Sequence, residues 1–312
     1  MPLSTRLPPR PRGKSMIDCT LVTCEKVPHL DPDDRSLLGA IRTLGLSVSV
    51  AVWSDPTVDW SSSRLCVLRS TWDYYSRHDD FIAWVERAAK VTTIRNDPYL
   101  VRWNAHKSYI SDLQQAHVPV VPTYWALLGS SPCLTELVEL RGWRDVVIKP
   151  ARGAAAHDVM LVRNERGDYI RGQAHLDHLS SKGDLLVQPY LNSVATYGER
   201  SLVFFQGRFS HAVVKKPFDT VLAVGNARSV ATEPSTKELE IATLATRAIP
   251  RPWLYARVDL LRDDESAPVV SEMELIEPAL YLGAHDLAPA LFASAIEREL
   301  CGSRTTVPTS IT

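Results

Sequence analysis

Hydrophobic and polar positions alternate in two rhythms along the first hundred residues. Residues 17–24 (IDCTLVTC), 46–53 (LSVSVAVW) and 63–70 (SRLCVLRS) are short, β-branched-rich runs that read as strands. Between the first two, PDDRSLLGAIRTLG sets Leu37, Leu38, Ile41 and Leu44 three to four residues apart, and Gly45 supplies a stop. DDFIAWVERAAK then aligns Phe81, Trp84, Val85 and Ala88 on one helical face. Strand, helix, strand, strand and helix predict a small α/β unit around a parallel sheet.

The rhythm changes further on. A helix is expected near Asn104, carrying Lys107, Ile110 and Leu113, before the connector VPVVPTYW. DVVIKP, DVMLV, DYI and LLVQPYL are short strand candidates, and SLVFFQ turns at Gly207 into FSHAVVKK as a hairpin. TKELEIATLATRA reads as a helix with Glu238 near its start and Leu239, Leu244 and Ala248 facing inward. LYARVDLL and VVSEMELIE read as two strands, and APALFASAIEREL as a last helix. The expected division is a disordered tail over 1–15, which holds four prolines and four unpaired basic residues, then an α/β domain over 16–103. A central lid subdomain with its linker follows over 104–187, a catalytic subdomain over 188–303 and a flexible tail over 304–312.

Composition narrows the classes. With 312 residues, 45% hydrophobic and 23% charged, the chain builds a sizeable core and is neither disordered nor repetitive. Its 35 basic and 36 acidic residues leave a formal charge of −1, so no overall field draws nucleic acid or an anionic membrane. No run of eighteen apolar residues appears. Five cysteines without metal-ligand spacing read as reduced thiols in a cytoplasmic protein.

The candidate chemistry begins at the late strand pair. Alternation places Arg257 and Asp259 on one face of the first strand, and Glu272 and Glu274 on one face of the second. If DDESAP closes a hairpin, Asp259 falls opposite Glu272 with Glu274 diagonal to it. Three carboxylates so placed repel unless hard cations such as Mg²⁺ join them; a solvated face with Arg257 paired to an acid is the plainer alternative. Upstream, DVVIKPARGAAAHDV delivers Lys149 from a strand into a small-residue loop. That loop suits either a phosphate-covering lid or a simple hairpin turn.

The order of these features resembles the ATP-grasp superfamily of ligases. The likeness runs from WNAHKSYI through VVIKPARGAAAHDV, LLVQPYL and GERSLVFFQGRFSHAVVKKP to ARVDLL and VVSEMELIEP, over roughly 104–300. The wording of the later motifs is similar to the bacterial small-molecule branch that includes the O-ureido-serine cyclo-ligase of cycloserine biosynthesis. The resemblance implies an α/β and α+β ATP-grasp fold preceded by a small α/β domain. It implies that Lys107 and Lys149 contact ATP phosphates, that Gln188, Pro189, Tyr190 and Leu191 form the adenine hinge, and that Glu199 takes the ribose hydroxyls. Lys215, with Lys216 as register alternative, becomes a further phosphate contact, Arg257 the transition-state arginine, and Asp259, Glu272 and Glu274 the ligands of Mg²⁺, or of Mn²⁺ in its place. Alanines stand in the lid where the family favours glycine.

The residues alone leave plainer roles open. Lys107 suits a solvated helix face, Gln188 a local backbone bond, and Glu199 an ion pair with Arg200. RSTWDYY (69–75), after the third strand, offers Arg69 for a substrate carboxylate, or else a packing corner between domains. His211 is either catalytic or a hydrogen-bonded structural residue. The expected reaction is ATP-dependent activation of a carboxylate as an acyl phosphate and its capture by an amine, on a small amino-acid-like substrate. Ring closure, intermolecular joining, a kinase and a noncatalytic ATP-binding module are the alternatives, and a homodimer is a further expectation of the resemblance.

Overall fold

The computed structural model describes residues 16–153, 157–215 and 229–302. The front unit comprises β1 (Ile17–Thr23), α1 (Arg35–Thr43), β2 (Val48–Val52), β3 (Ser63–Ser70), α2 (His78–Ala88) and β4 (Thr93–Arg95). Its four strands run parallel in the order β2-β1-β3-β4, as the alternation of strands and helices predicts. Two short helices follow, α3 (Pro98–Asn104) and α4 (Tyr109–Gln115). Asp97 starts α3 by accepting the Leu100 N–H, with Pro98 at its first turn.

The middle unit holds β5 (Tyr124–Ala126), α5 (Leu134–Arg141), β6 (Val146–Pro150), β7 (Met160–Val162), α6 (Arg166–Ser180) and β8 (Leu185–Pro189), in an antiparallel sheet ordered β5-β8-β6-β7. After α7 (Ser193–Thr196) come β9 (Glu199–Phe205), β10 (Arg208–Lys215), β11 (Ser229–Thr232), α8 (Thr236–Arg247), β12 (Tyr255–Arg262), β13 (Pro268–Glu274) and α9 (Ala288–Gly302). These strands form an antiparallel sheet ordered β11-β10-β9-β12-β13.

Alternation along β9 explains how this last sheet sits. Leu202 and Phe204 pack with Ala256 and Val258 against α4 and α8, while Val203 and Phe205 pack with Tyr255 against α9 and the front unit. The second face therefore begins apolar, at Phe205 and Tyr255, and becomes charged toward Ser201, Asp259 and Glu199.

Four expectations need correction. Asp168–Ile170 belongs to α6, whose buried Gly172, Leu176 and Leu179 carry the helical spacing that three residues alone conceal. Lys107 lies in the bend between α3 and α4 rather than on a helix face. In α8, Ile241, Ala242 and Ala245 face the sheet and Leu244 is exposed, because small residues allow closer approach. Gln188 and Pro189 remain in the middle sheet, so the change of sheet comes after them. The tails over 1–15 and 304–312, the alanines 154–156 and Lys216 lie outside the described residues.

Candidate active site

The charged end of the last sheet is built by register. Asp259 pairs with Glu272 and Arg257 with Glu274, so the acids converge as the alternation predicts. On the other side Asp259 pairs with Ser201 and Lys215 with Glu199. Carboxylate oxygens of Asp259, Glu272 and Glu274 all lie within 4.8 Å of one another. Oxygen donors so close fit a hard divalent cation. In the protein alone, basic side chains hold them together. Arg257 grips Asp259 with Nε at 2.9 Å and Nη2 at 2.8 Å, and Nη2 also reaches Glu274. Lys215 Nζ lies 3.0 Å from Asp259 Oδ2 and 3.6 Å from Glu199 Oε1, and Ser201 donates to Asp259 at 2.6 Å. Arg257 is thus paired to an acid, but the pair is buried rather than solvated.

Two lysines approach from other elements. The bend after α3 is tied to the end of β6 by the Lys107 N–H, which donates to the Ala151 carbonyl at 2.8 Å. The Lys107 ammonium then bonds the Gly153 carbonyl at 3.0 Å and lies 3.1 Å from Glu272 Oε1. Lys149, on β6, makes no hydrogen bond or close ion pair among the described residues, yet it feels Glu272, Glu199 and Asp259 through space. The metal-type carboxylates and both lysines therefore meet at one junction of the middle and last sheets.

Electrostatics separates these groups. Burial works against every charge here. It raises Asp259, but Arg257 and Lys215 overcome that and hold Asp259 well below the carboxylate range. Glu272 is likewise lowered against burial, by Lys107 and Lys149. For Glu274 burial prevails over Arg257 and its pKa is raised. Glu199 is pushed up to about 7, by burial first, with Asp259 adding repulsion and Lys215 opposing. Burial lowers Lys149, whereas Lys215 is raised because Asp259 and Glu199 outweigh burial and Arg257.

The hinge candidates lie beside this junction. Gln188 Nε2 bonds Thr123 Oγ1 at 2.8 Å, and the Tyr190 N–H bonds the Asp145 carbonyl at 2.8 Å. Leu191 packs with Val121, Val269 and Leu261, and Leu261 is two residues beyond Asp259. An apolar patch thus continues from the charged face to the segment after Pro189.

Arg69, which the sequence offers for a substrate carboxylate or a packing corner, sits in such a corner, with Nη1 its one nitrogen unpartnered among the described residues. It is 1% exposed, pairs with Asp34 Oδ1 at 2.9 Å and donates to the Pro278 carbonyl at 2.9 Å. It is one of six side chains that capture six successive carbonyls after β13. Asn96 holds Leu275, Tyr255 holds Ile276, Trp72 holds Glu277, Arg69 holds Pro278, Arg257 holds Ala279 and His211 holds Leu280. His211 is accordingly a structural donor. Asn104, which brackets β13 through the Met273 carbonyl and the Leu275 N–H, belongs to the same scaffold. Ser201 was the residue most open to prediction, because alternation from Glu199 puts it on the charged face.

Front parallel sheet, middle lid-like sheet and acidic strand pair define an ATP-grasp enzyme, an ATP-dependent ligase. The N-terminal domain family of D-cycloserine synthetase DcsG matches residues 19–96. Cycloserine biosynthesis protein DcsG of Streptomyces lavendulae is 34% identical over 287 residues, covering 87% of this chain and 95% of that protein. The chain belongs to the DcsG family of ATP-grasp ligases. The crystal structure of D-cycloserine synthetase DcsG superposes with a TM-score of 0.84 at 33% identity, over 90% of this chain and 99% of that one. D-alanine–D-alanine ligase from Bacillus anthracis, complexed with ATP, shares the fold with a TM-score of 0.63 at 12% identity, over 92% and 98% of the two chains. No helix among the described residues is long and apolar enough to cross a membrane.

Proposed function

We propose that the protein uses Mg²⁺ and ATP to activate the carboxylate of a small amino-acid-like substrate, and that a nitrogen of the same molecule then closes a ring. The reaction in view is closure of O-ureido-serine toward cycloserine, in keeping with the likeness to DcsG. The observation that carries the ligase reading is the meeting of Asp259, Glu272 and Glu274 with Lys107, Lys149 and Lys215 at one buried junction.

The three carboxylates would hold Mg²⁺, which neutralises phosphate charge. Among the described residues Lys149 has no anion of its own within hydrogen-bonding distance, which suits it to a phosphate oxygen. Lys107 spends donors on the Gly153 carbonyl and Glu272 and keeps a third for a second such oxygen. Arg257, held bidentately by Asp259, presents its guanidinium where charge spreads over a transferring phosphoryl group. The acyl phosphate formed in this way supplies the leaving group that a carboxylate lacks. Attack by the O-bound ureido nitrogen forms the ring C–N bond with release of phosphate and that nitrogen's proton. Cycloserine itself further requires hydrolytic loss of the carbamoyl group as carbon dioxide and ammonia. Glu199, which gives up its proton only near neutrality, would then accept the ribose hydroxyls.

The test is ADP release with product mass. Stimulation by O-ureido-serine together with a cyclic product supports ring closure. A joined product from two amino acids moves the assignment to intermolecular ligation, and a stable phosphorylated product to a kinase. ATP binding without substrate-stimulated ADP release overturns the enzymatic reading of this site.

A further inference from the structure

One acid near the junction is unused by the chemistry above. Glu277, three residues past Glu274, is only 7% exposed, and among the described residues its carboxylate has no hydrogen bond or ion pair. It is not part of the carboxylate group close enough to share a metal ion, which comprises Asp259, Glu272 and Glu274. The neighbouring cations are already engaged, Arg257 by Asp259 and Glu274 and Lys107 by Glu272.

The main chain around Glu277 is unusually fixed for an irregular segment. Trp72 Nε1 donates to its own carbonyl at 3.1 Å, and Arg69 and Arg257 take the next two carbonyls at 2.9 and 3.2 Å. Every carbonyl from Leu275 to Leu280 lies within hydrogen-bonding reach of a side chain, Ile276 sharing the single Tyr255 O–H with Leu68, while among the described residues the Glu277 carboxylate is uncommitted. It feels repulsion from Glu274 and Glu272 and weaker attraction from Arg257 and Lys107, and its charge in turn acts on the Tyr74 hydroxyl. Tyr74 and Trp72 belong to the loop after β3, so the carboxylate stands where the front unit meets the acidic strand pair. Burial first, then Glu274 and Glu272, raises the Glu277 pKa well above the usual carboxylate range against the pull of Arg257 and Lys107. The protein alone therefore favours its neutral form, and an arriving cation with donors would favour the ionised one.

We infer that Glu277 binds the α-ammonium group of the amino-acid-like substrate, orienting the carboxylate end toward the Arg257 side of the site. This rests on the carboxylate-activating ligase reading. An ammonium group supplies the missing charge and three donors, which a compact carboxylate pocket can take without a metal ion. Tyr74 and Trp72 would form the wall beside it. A des-amino acid of the same length should therefore be a poor ligand even though its reacting ends are intact.

Calorimetry on protein loaded with Mg²⁺ and a non-hydrolysable ATP analogue tests this with O-ureido-serine and 3-(ureidooxy)propanoate, which lacks only the α-amine. The wild type should prefer the amine-bearing acid by about 10- to 100-fold, the range of a charge-assisted hydrogen bond. Glu277→Gln should reduce that preference to within about threefold by weakening the amine-bearing ligand alone, and Glu277→Asp should keep part of it. Affinity for the nucleotide analogue should stay unchanged in both variants, which also shows that they fold. A wild type that does not discriminate, a Glu277→Gln variant that still does, or equal weakening of both acids overturns the inference. Because the readout is binding, it is separate from the ADP-release test: preference without turnover keeps the ammonium site and sinks the ligase reading, and turnover without preference does the reverse.

Discussion

Lys107 Nζ lies 3.1 Å from Glu272 Oε1, and this contact joins the bend between α3 and α4 to the strand that carries two of the three clustered acids. The same ammonium bonds the Gly153 carbonyl beyond β6. One lysine therefore ties the segment that follows β6 to the carboxylates. Glu272→Gln keeps the side-chain shape but removes the charge that both Lys107 and a divalent cation need. Turnover measured as ADP release should fall by roughly 100-fold or more, with a raised Mg²⁺ requirement. Normal turnover at low Mg²⁺ would remove Glu272 from the metal site.

Lys149 gives a prediction of opposite signs for stability and binding. Burial lowers its pKa, and among the described residues no acid stands within hydrogen-bonding distance. A base whose folded pKa lies below its unfolded value costs stability while charged in both states, and that cost is relieved as pH rises through the folded pKa. Lys149→Met should leave the ATP-free protein as stable as wild type, or more stable by up to about 1 kcal/mol. It should weaken Mg-ATP about tenfold or more. Thermal melts and nucleotide titration check both; a destabilised ATP-free variant would make Lys149 a structural residue.

Glu199 carries a pH signature. Its pKa rises from 4.5 to about 7 on folding, from burial first and then repulsion by Asp259. Between those values the unfolded chain has released the proton and the folded chain keeps it, so stability present below pH 4.5 is lost as pH rises toward 7. Glu199→Gln should remove this slope, and its melting temperature should gain on wild type across that window. Nucleotide affinity should move the other way in wild type, strengthening as the carboxylate ionises near neutrality. Parallel melting curves for the two proteins from pH 5 to 8 would count against the assignment.

The Asp259–Glu272 pairing was legible because two-residue periodicity and a short connecting loop determine it locally. So was the hairpin after Phe205, where Gln206 and Gly207 both take positive φ angles. The middle helix α6 was harder to read, since Gly172 stands on its inward face where a bulky apolar residue would have marked it; a Cβ there would come 2.7 Å from Val162 Cγ2. Long-range hydrogen bonds left no local trace. Asn96 and Asn104 hold β12 and β13 across some 160 to 180 residues of chain, and neither spacing nor composition points to them. Glu277 was hidden for the same reason, because its significance lies in what is absent around it.

Gly198 fixes the start of β9 beside Lys215. Its φ is +84°, and a Cβ would sit 2.7 Å from the Lys215 carbonyl oxygen. Gly198→Ala must therefore separate Glu199 from Lys215 or strain the backbone. We expect a loss of about 1–3 kcal/mol in stability by denaturant unfolding, together with weaker nucleotide binding. Substitution at Gly207, where nothing lies within 4 Å, shares the positive φ but not the clash, and should spare nucleotide binding.

Arg69 separates a positioning role from substrate contact. Its Nε and Nη2 bond Asp34, which Ser70 also bonds, and Nη2 donates as well to the Pro278 carbonyl beside Glu277. Arg69→Met leaves the Asp34 carboxylate buried without its cation, a loss of about 3–5 kcal/mol. Adding Asp34→Asn should restore much of that stability, because the uncompensated charge is gone. The double variant still lacks the clamp on Pro278, so the segment carrying Glu277 should be less well placed. Substrate KM should rise in it while nucleotide affinity stays near wild type. A direct contact between Arg69 and the substrate carboxylate predicts instead that Arg69→Lys, with Asp34 intact, retains substrate binding by charge alone; the clamp predicts that Lys, unable to span Asp34 and Pro278 with a planar fork, does not.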